Sequence, residues 1–136
     1  MNITLLTIEK INKPFIKKGI QEYNKRLSRY CKIKHITLKK IEDIHKNIKN
    51  NSYIILVNPK GEMMSSERLG SNIKKMGVQG KSDIVFLIAD KEVLDGKEDM
   101  HLALTSMEMD SELMLLTLYE QIYRAFTLIN NLPYHK

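Results

Sequence analysis

The stretch DIVFLIA at residues 83–89 follows one acid with six consecutive apolar residues, four of them branched at Cβ or aromatic. A run of that length and make-up reads as a central β-strand of a buried sheet. Two more runs, NITLLTI at 2–8 and SYIILV at 52–57, have the same character. KIKHITLK at 32–39 alternates instead and reads as a half-exposed strand, with His35 an ordinary surface or packing histidine on it. HLALTSM at 101–107 is a candidate fifth strand.

Helical patterns separate these strands. From Lys13, with Pro14 in the first turn, Phe15, Ile16, Ile20, Tyr23, Leu27 and Tyr30 recur at helical spacing. A polar helical or loop segment runs through Ile48, and NPKGE after residue 57 reads as a turn. Ser65 or Ser66 can cap a helix whose buried stripe is Leu69, Ile73 and Met76. MDSE then introduces a long helix from about Ser111 to Asn130. Strands alternating with helices imply an α/β domain with a largely parallel sheet. The last helix is apolar on more than one stripe, which implies burial on several sides and predicts a two-fold homodimer built partly on it.

A length of 136 residues suits a single domain spanning 1–136. The longest strongly apolar run, LMLLTLY at 113–119, cannot cross a bilayer, and the first residues lack a cleavable signal pattern. The expectation is a cytoplasmic protein with no membrane partner. Cys31 is the only cysteine, which excludes an internal disulfide and leaves no partner for a thiolate metal site. The net charge of +6 is unevenly spread. Residues 10–49 hold thirteen Lys/Arg against three acids, whereas residues 83–120 hold ten acids against Lys91 and Lys97. The basic segment can neutralise phosphates, as nucleic-acid binding requires, or serve as a solvated face.

No phosphate-binding glycine loop, metal-spaced His/Cys/carboxylate group or Gly-x-Ser-x-Gly elbow is present, and His45 and His101 are isolated. The segments GEMMSSERL, QGKSDIVFLIA, EQIYRAF and the terminal YHK, in that order over nearly the whole chain, resemble the ribosomal RNA large subunit methyltransferase H family. These are SPOUT-class enzymes that methylate N3 of a pseudouridine with S-adenosylmethionine. The resemblance implies a SPOUT-type parallel sheet flanked by helices, a C-terminal trefoil knot holding the cofactor, and a homodimer in which the partner completes the site. It also implies ribosomal RNA in the assembled ribosome as the target.

By that resemblance Arg124, Tyr134 and His135 are the candidate catalytic residues, the Tyr-His pair folding over the cofactor pocket. Val57 and the segment Leu104, Thr105, Ser106, Met107, Glu108 and Met109 are the candidate cofactor contacts; no metal is implied. The chain departs from the family pattern at several points. Ala89 and Asp90 replace a Gly-Gly pair, Val93 a third glycine, Asp110 and Ser111 a Pro-His pair, and Leu115 an arginine; the region between the second and third strands is shorter. Two readings remain open at this level. One is a divergent methyltransferase with a rebuilt pocket. The other is a degenerate paralogue that has lost cofactor binding and acts as a binding or regulatory protein, alone or in a heterodimer with an intact relative. A general RNA-binding module based on residues 10–49 is a third.

Overall fold

The structure, a computed structural model, describes residues 1–134, apart from the side chain of Lys91. Five parallel strands form one sheet: β1 (Asn2–Thr7), β2 (Lys32–Thr37), β3 (Tyr53–Met63), β4 (Asp83–Ile88) and β5 (Met100–Ala103), in the order β2-β1-β4-β3-β5. Three helices, α1 (Pro14–Leu27), α2 (Ser66–Val78) and α3 (Ser111–Ile129), complete the main framework. The α/β class and the parallel sheet are as the run-and-helix pattern predicts.

The two faces of the sheet are covered unequally. On one, Ile16, Ile20 and Leu27 of α1, Leu69, Ile73 and Met76 of α2, and the apolar side of α3 pack onto Ile3, Leu5, Ile55, Val57, Ile84 and Phe86. On the other, Leu6, Leu56, Val85 and Leu87 meet a smaller set of Leu38, just after β2, and Ile44 and Leu94, carried by short 3-10 turns at Ile41–Asn47 and Lys91–Leu94. The connection between β2 and β3 lies in that second layer.

Each helix start is fixed by a local device. Pro14 occupies the first turn of α1, the Ser65 hydroxyl accepts the Arg68 N–H (3.1 Å) at α2, and the Asp110 carboxylate accepts the N–H groups of Glu112 and Leu113 (3.1 and 3.2 Å) at α3. Helix α3 lies against both α1 and α2, Leu116 facing Gly19 and Ala125 facing Gly70. Its several apolar stripes are therefore covered largely within the chain. An outward strip including Leu113, Leu116, Thr117, Glu120, Gln121, Arg124 and Leu128 remains half or fully exposed.

Two expectations need correction. The expected turn at NPKGE is an excursion inside a longer strand: Val57 and Glu62 both fall opposite Leu102, so residues 58–61 leave the ladder and Met63 rejoins it beside Ala103. The fifth strand ends at Ala103 instead of Met107, because the Thr105 hydroxyl accepts the Met107 N–H (3.2 Å) and turns the chain out of the sheet.

The excursion depends on Gly61. A Cβ there would lie 2.5 Å from the carbonyl carbon of Leu102 and 2.8 Å from the nitrogen of Ala103. Both are backbone atoms and cannot rotate away. At Gly19 the nearest obstacle is the Leu116 side chain at 2.7 Å, which can change rotamer. Gly61→Ala should therefore cost about 1–3 kcal/mol and Gly19→Ala less, as measured by chemical unfolding; equal costs would contradict this account of the crossing.

Candidate active site

The connections leaving β1 and β4, which are neighbours, go to opposite faces: β1 leads into α1 in the helical layer, β4 into the 3-10 turn on the thin side. Such a divergence opens a crevice at the carboxyl ends of the strands. A cleft of about 590 Å³ lies there. Val57, Ile88, Met109 and Met114 give it apolar lining, and Thr7, Asn58, Asp90 and Glu108 add polar groups. A second space of about 280 Å³ adjoins it, sharing Asn58, Pro59, Asp90 and Glu108 and adding Lys60 and Glu92.

Asn58 organises the floor between them. It is buried, its amide Nδ2–H donates to the Ala89 carbonyl (2.8 Å), and its Oδ1 accepts the Lys60 N–H (3.0 Å). With the amide so oriented, Oδ1 must also accept from His101, whose Nε2 lies at 2.7 Å. One side chain thus ties the exits of β3 and β4 to β5. Asn58 and His101 were not among the residues sequence reasoning selected; an Asn-Pro step directly after an apolar strand was the available signal.

The positions where the resemblance implies replacements sit without backbone strain. Asp90 has φ −69°, and positive φ among the described non-glycine residues occurs only at Asp95 and Asn131, so the chain at 89–93 makes no demand for glycine. Leu115 is fully buried in the helical-side core, Asp110 caps α3, and the Ser111 hydroxyl donates to Glu9 Oε2 (2.7 Å).

Glu112 is buried and faces away from any open role in the cleft. Its Oε1 accepts the backbone N–H groups of Asn12 and Lys13 (2.6 and 2.9 Å), and its Oε2 accepts from Lys13 Nζ (2.8 Å). Lys13 Nζ also reaches Asp110 Oδ1 (3.2 Å). The Lys13 ammonium and the two backbone donors hold the Glu112 carboxyl down to about 2 and Lys13 above its usual value, while the Leu113 N–H and Lys13 lower Asp110. Cys31 is buried and its thiol is pushed up to about 11, which leaves it protonated. His35 shares a 2.7 Å hydrogen bond with Thr7 Oγ1, and burial lowers its pKa.

Of the residues selected from the sequence, Val57, Glu108 and Met109 line the main cleft. Leu104 lines a different space of about 240 Å³ with Met64, Leu69, Thr117 and Gln121. Thr105 forms the turn described above, and Ser106 and Met107 are exposed. Arg124 and Tyr134 meet at the other end of α3: Arg124 Nη2 donates to Glu120 Oε1 (2.8 Å), the Tyr134 hydroxyl donates to the same oxygen (2.8 Å), and the guanidinium sits 4.0 Å from the centre of the Tyr134 ring. The Tyr134 ring also packs edge-on against Tyr123, and burial raises its pKa well above the ordinary tyrosine value. Arg124 lies ten residues beyond Met114, about 15 Å along the helix, and neither Arg124 nor Tyr134 lines the cleft of its own chain. His135 lies outside the described residues.

The profile of the family described as "Predicted SPOUT methyltransferase" matches residues 1–135. Proteins named ribosomal RNA large subunit methyltransferase H from Finegoldia magna, Alkaliphilus oremlandii and Acetivibrio thermocellus are 36%, 37% and 34% identical, each alignment covering the whole of both chains. The chain belongs to the SPOUT methyltransferases, within the ribosomal RNA large subunit methyltransferase H family. Those alignments run to 160 positions against 136 residues here, so they pass over gaps in this chain.

The Lys13–Glu112 junction carries a pH signature. Glu112 is ionised in the folded state far below its ordinary value of 4.5, so its contribution is complete above pH 4.5 and lost as the pH falls toward 2. Urea midpoints should drop across that window, and Glu112→Gln should flatten this part of the slope while lowering stability at neutral pH.

Proposed function

We propose that this protein is an S-adenosylmethionine-dependent methyltransferase acting on N3 of a pseudouridine in large-subunit ribosomal RNA. The observation that carries the reading is the 590 Å³ crevice at the carboxyl ends of β1, β3 and β4 in a chain of this family. Its size falls within the range of cofactor sites, and its mixture of apolar walls with a few fixed polar groups suits an adenosine joined to an amino acid.

The residues present fit that group. Val57, Ile88, Met109 and Met114 would hold the adenine and the thioether-like portion, and the peptide groups of Glu108 and Met109, in the segment freed from the sheet after Ala103, would face the base. Asn58 holds the Ala89 carbonyl in place, so the floor is set before a ligand arrives. When bound, the cofactor supplies an electrophilic methyl group on its sulfonium. Close approach of β5 to the 58–61 excursion at Gly61 supports the proposed trefoil knot, in which the chain beyond β5 passes through that loop.

Arg124 and Tyr134 take part through a second copy. The exposed strip on α3 would be the two-fold interface, and the partner's tail would then cover this chain's cleft. Tyr134 stays neutral and acts as a donor, not a base, while Arg124 offers a guanidinium to an RNA phosphate. We place the protein in the cytoplasm, as a single domain; no helix among the described residues is long and apolar enough to cross a membrane.

The competing reading is a degenerate paralogue, alone or in a heterodimer. Calorimetric titration with S-adenosylmethionine should give saturable heat, and none at millimolar cofactor would overturn the methyltransferase reading. Arg124→Ala should lower methyl transfer to ribosomes from a strain lacking the enzyme by about a hundredfold. Its cofactor affinity should be unchanged, and unimpaired transfer would remove Arg124 from the site.

A further inference from the structure

The cleft has an electrostatic character that its volume does not reveal. Four carboxylates, Glu9, Asp90, Glu108 and Asp110, line it, with no cationic side chain in the same lining. Two of the four are spent: Glu9 accepts from Ser111, and Asp110 caps α3 and pairs with Lys13. The carboxylates of Asp90 and Glu108 make no hydrogen bond or ion pair among the described residues, and the side chain of Asp90 does not cap the 3-10 turn that it precedes. Both are exposed, so their charges remain hydrated and available.

Their placement is as informative as their charge. Asp90 follows β4 and Glu108 lies in the segment after β5, and those strands flank β3 on either side. The two loops therefore straddle Asn58 and Pro59, where both residues border the large and the small space at once. The small space adds Glu92 and a single cation, Lys60, leaving its lining net negative.

We infer that Asp90 and Glu108 form an anionic collar that selects the cationic form of the cofactor, binding S-adenosylmethionine in preference to S-adenosylhomocysteine. This rests on the cofactor reading above. The first molecule carries an ammonium, a carboxylate and a sulfonium, net +1. In transfer the sulfur–methyl bond breaks with its electron pair left on sulfur, the methyl carbon bonds to N3, and the N3 proton leaves to solvent. The second molecule is then a neutral thioether of net charge zero, and the collar holds it less strongly. Product release is favoured by the same charge change that the reaction makes. Glycine at residue 90 could not supply this discrimination, so the replacement at Asp90 gains a function of its own.

Calorimetry on the full chain with S-adenosylmethionine, S-adenosylhomocysteine and sinefungin, which carries an amine where the sulfonium stands, tests the collar. The wild type should bind the two cationic ligands about five- to tenfold more tightly than S-adenosylhomocysteine. The preference should shrink as salt is raised from 0.1 to 1 M, where the screening length falls from about 10 to about 3 Å. Asp90→Asn with Glu108→Gln should erase the preference by weakening only the cationic ligands. Both positions are exposed, and unchanged circular dichroism would show that the variants fold. Equal or tighter binding of S-adenosylhomocysteine by the wild type, or an unchanged ratio in the double variant, would overturn the collar alone. Absence of heat with all three ligands would overturn the cofactor reading and the collar together.

Discussion

The backbone crossing at Gly61 is the constraint on which the remaining geometry depends. Because no side chain fits between residue 61 and the Leu102–Ala103 peptide, β5 can lie against β3 both before and after the 58–61 excursion. The excursion pushes Asn58 and Pro59 to the mouth of the cleft. The end of β5 at Ala103 then delivers the segment to Met109, followed by the start of α3, to the same mouth. Sequence-distant residues such as Val57, Ile88 and Met109 converge there because a single close approach fixes where three strands end.

Much of the fold was legible because its signals are local. DIVFLIA and NITLLTI are strands within a residue of their predicted limits, SYIILV starts within a residue of its own, and the Pro14, Ser65 and Asp110 starts are where cap chemistry places them. The excursion was not legible, since a turn signal at NPKGE does not say whether the strand resumes beyond it. Nor did the pattern show that α1 and α2 cover most of α3, because an all-round apolar helix looks the same whether its cover is its own chain or another. At the cleft, the family resemblance selected Val57 and the segment 104–109, of which Val57, Glu108 and Met109 line it. It gave no indication of Asn58 or His101, whose importance lies in a hydrogen-bond geometry across 43 residues of sequence.

Helix α3 joins two differently built regions. Its N-terminus is bound to the start of α1 through Glu112, which satisfies Asn12 and Lys13 and is itself buried. A carboxylate in that position serves the architecture, so the acidity of the segment from Glu108 to Glu112 divides into structural and free charges. Its C-terminal half carries the Glu120, Arg124 and Tyr134 cluster, where one carboxylate oxygen receives both a guanidinium and a phenol. Charge is neutralised at the anchored ends of this helix, while the Asp90 and Glu108 carboxylates at the loops of the cleft carry no ion pair among the described residues.

The unequal cover of the sheet has a mechanical consequence. Three helices buttress one face, whereas two short 3-10 turns and a small apolar cluster close the other. Regions with little buried apolar surface open at lower free energy than those with much. The cleft sits on the seam between them, with Met109 and Met114 on the stiff side and Ile41 and Val93 on the compliant one. A ligand can thus be admitted by a small yielding of the thin layer while the helical layer, and the registration of the strands beneath it, stays rigid.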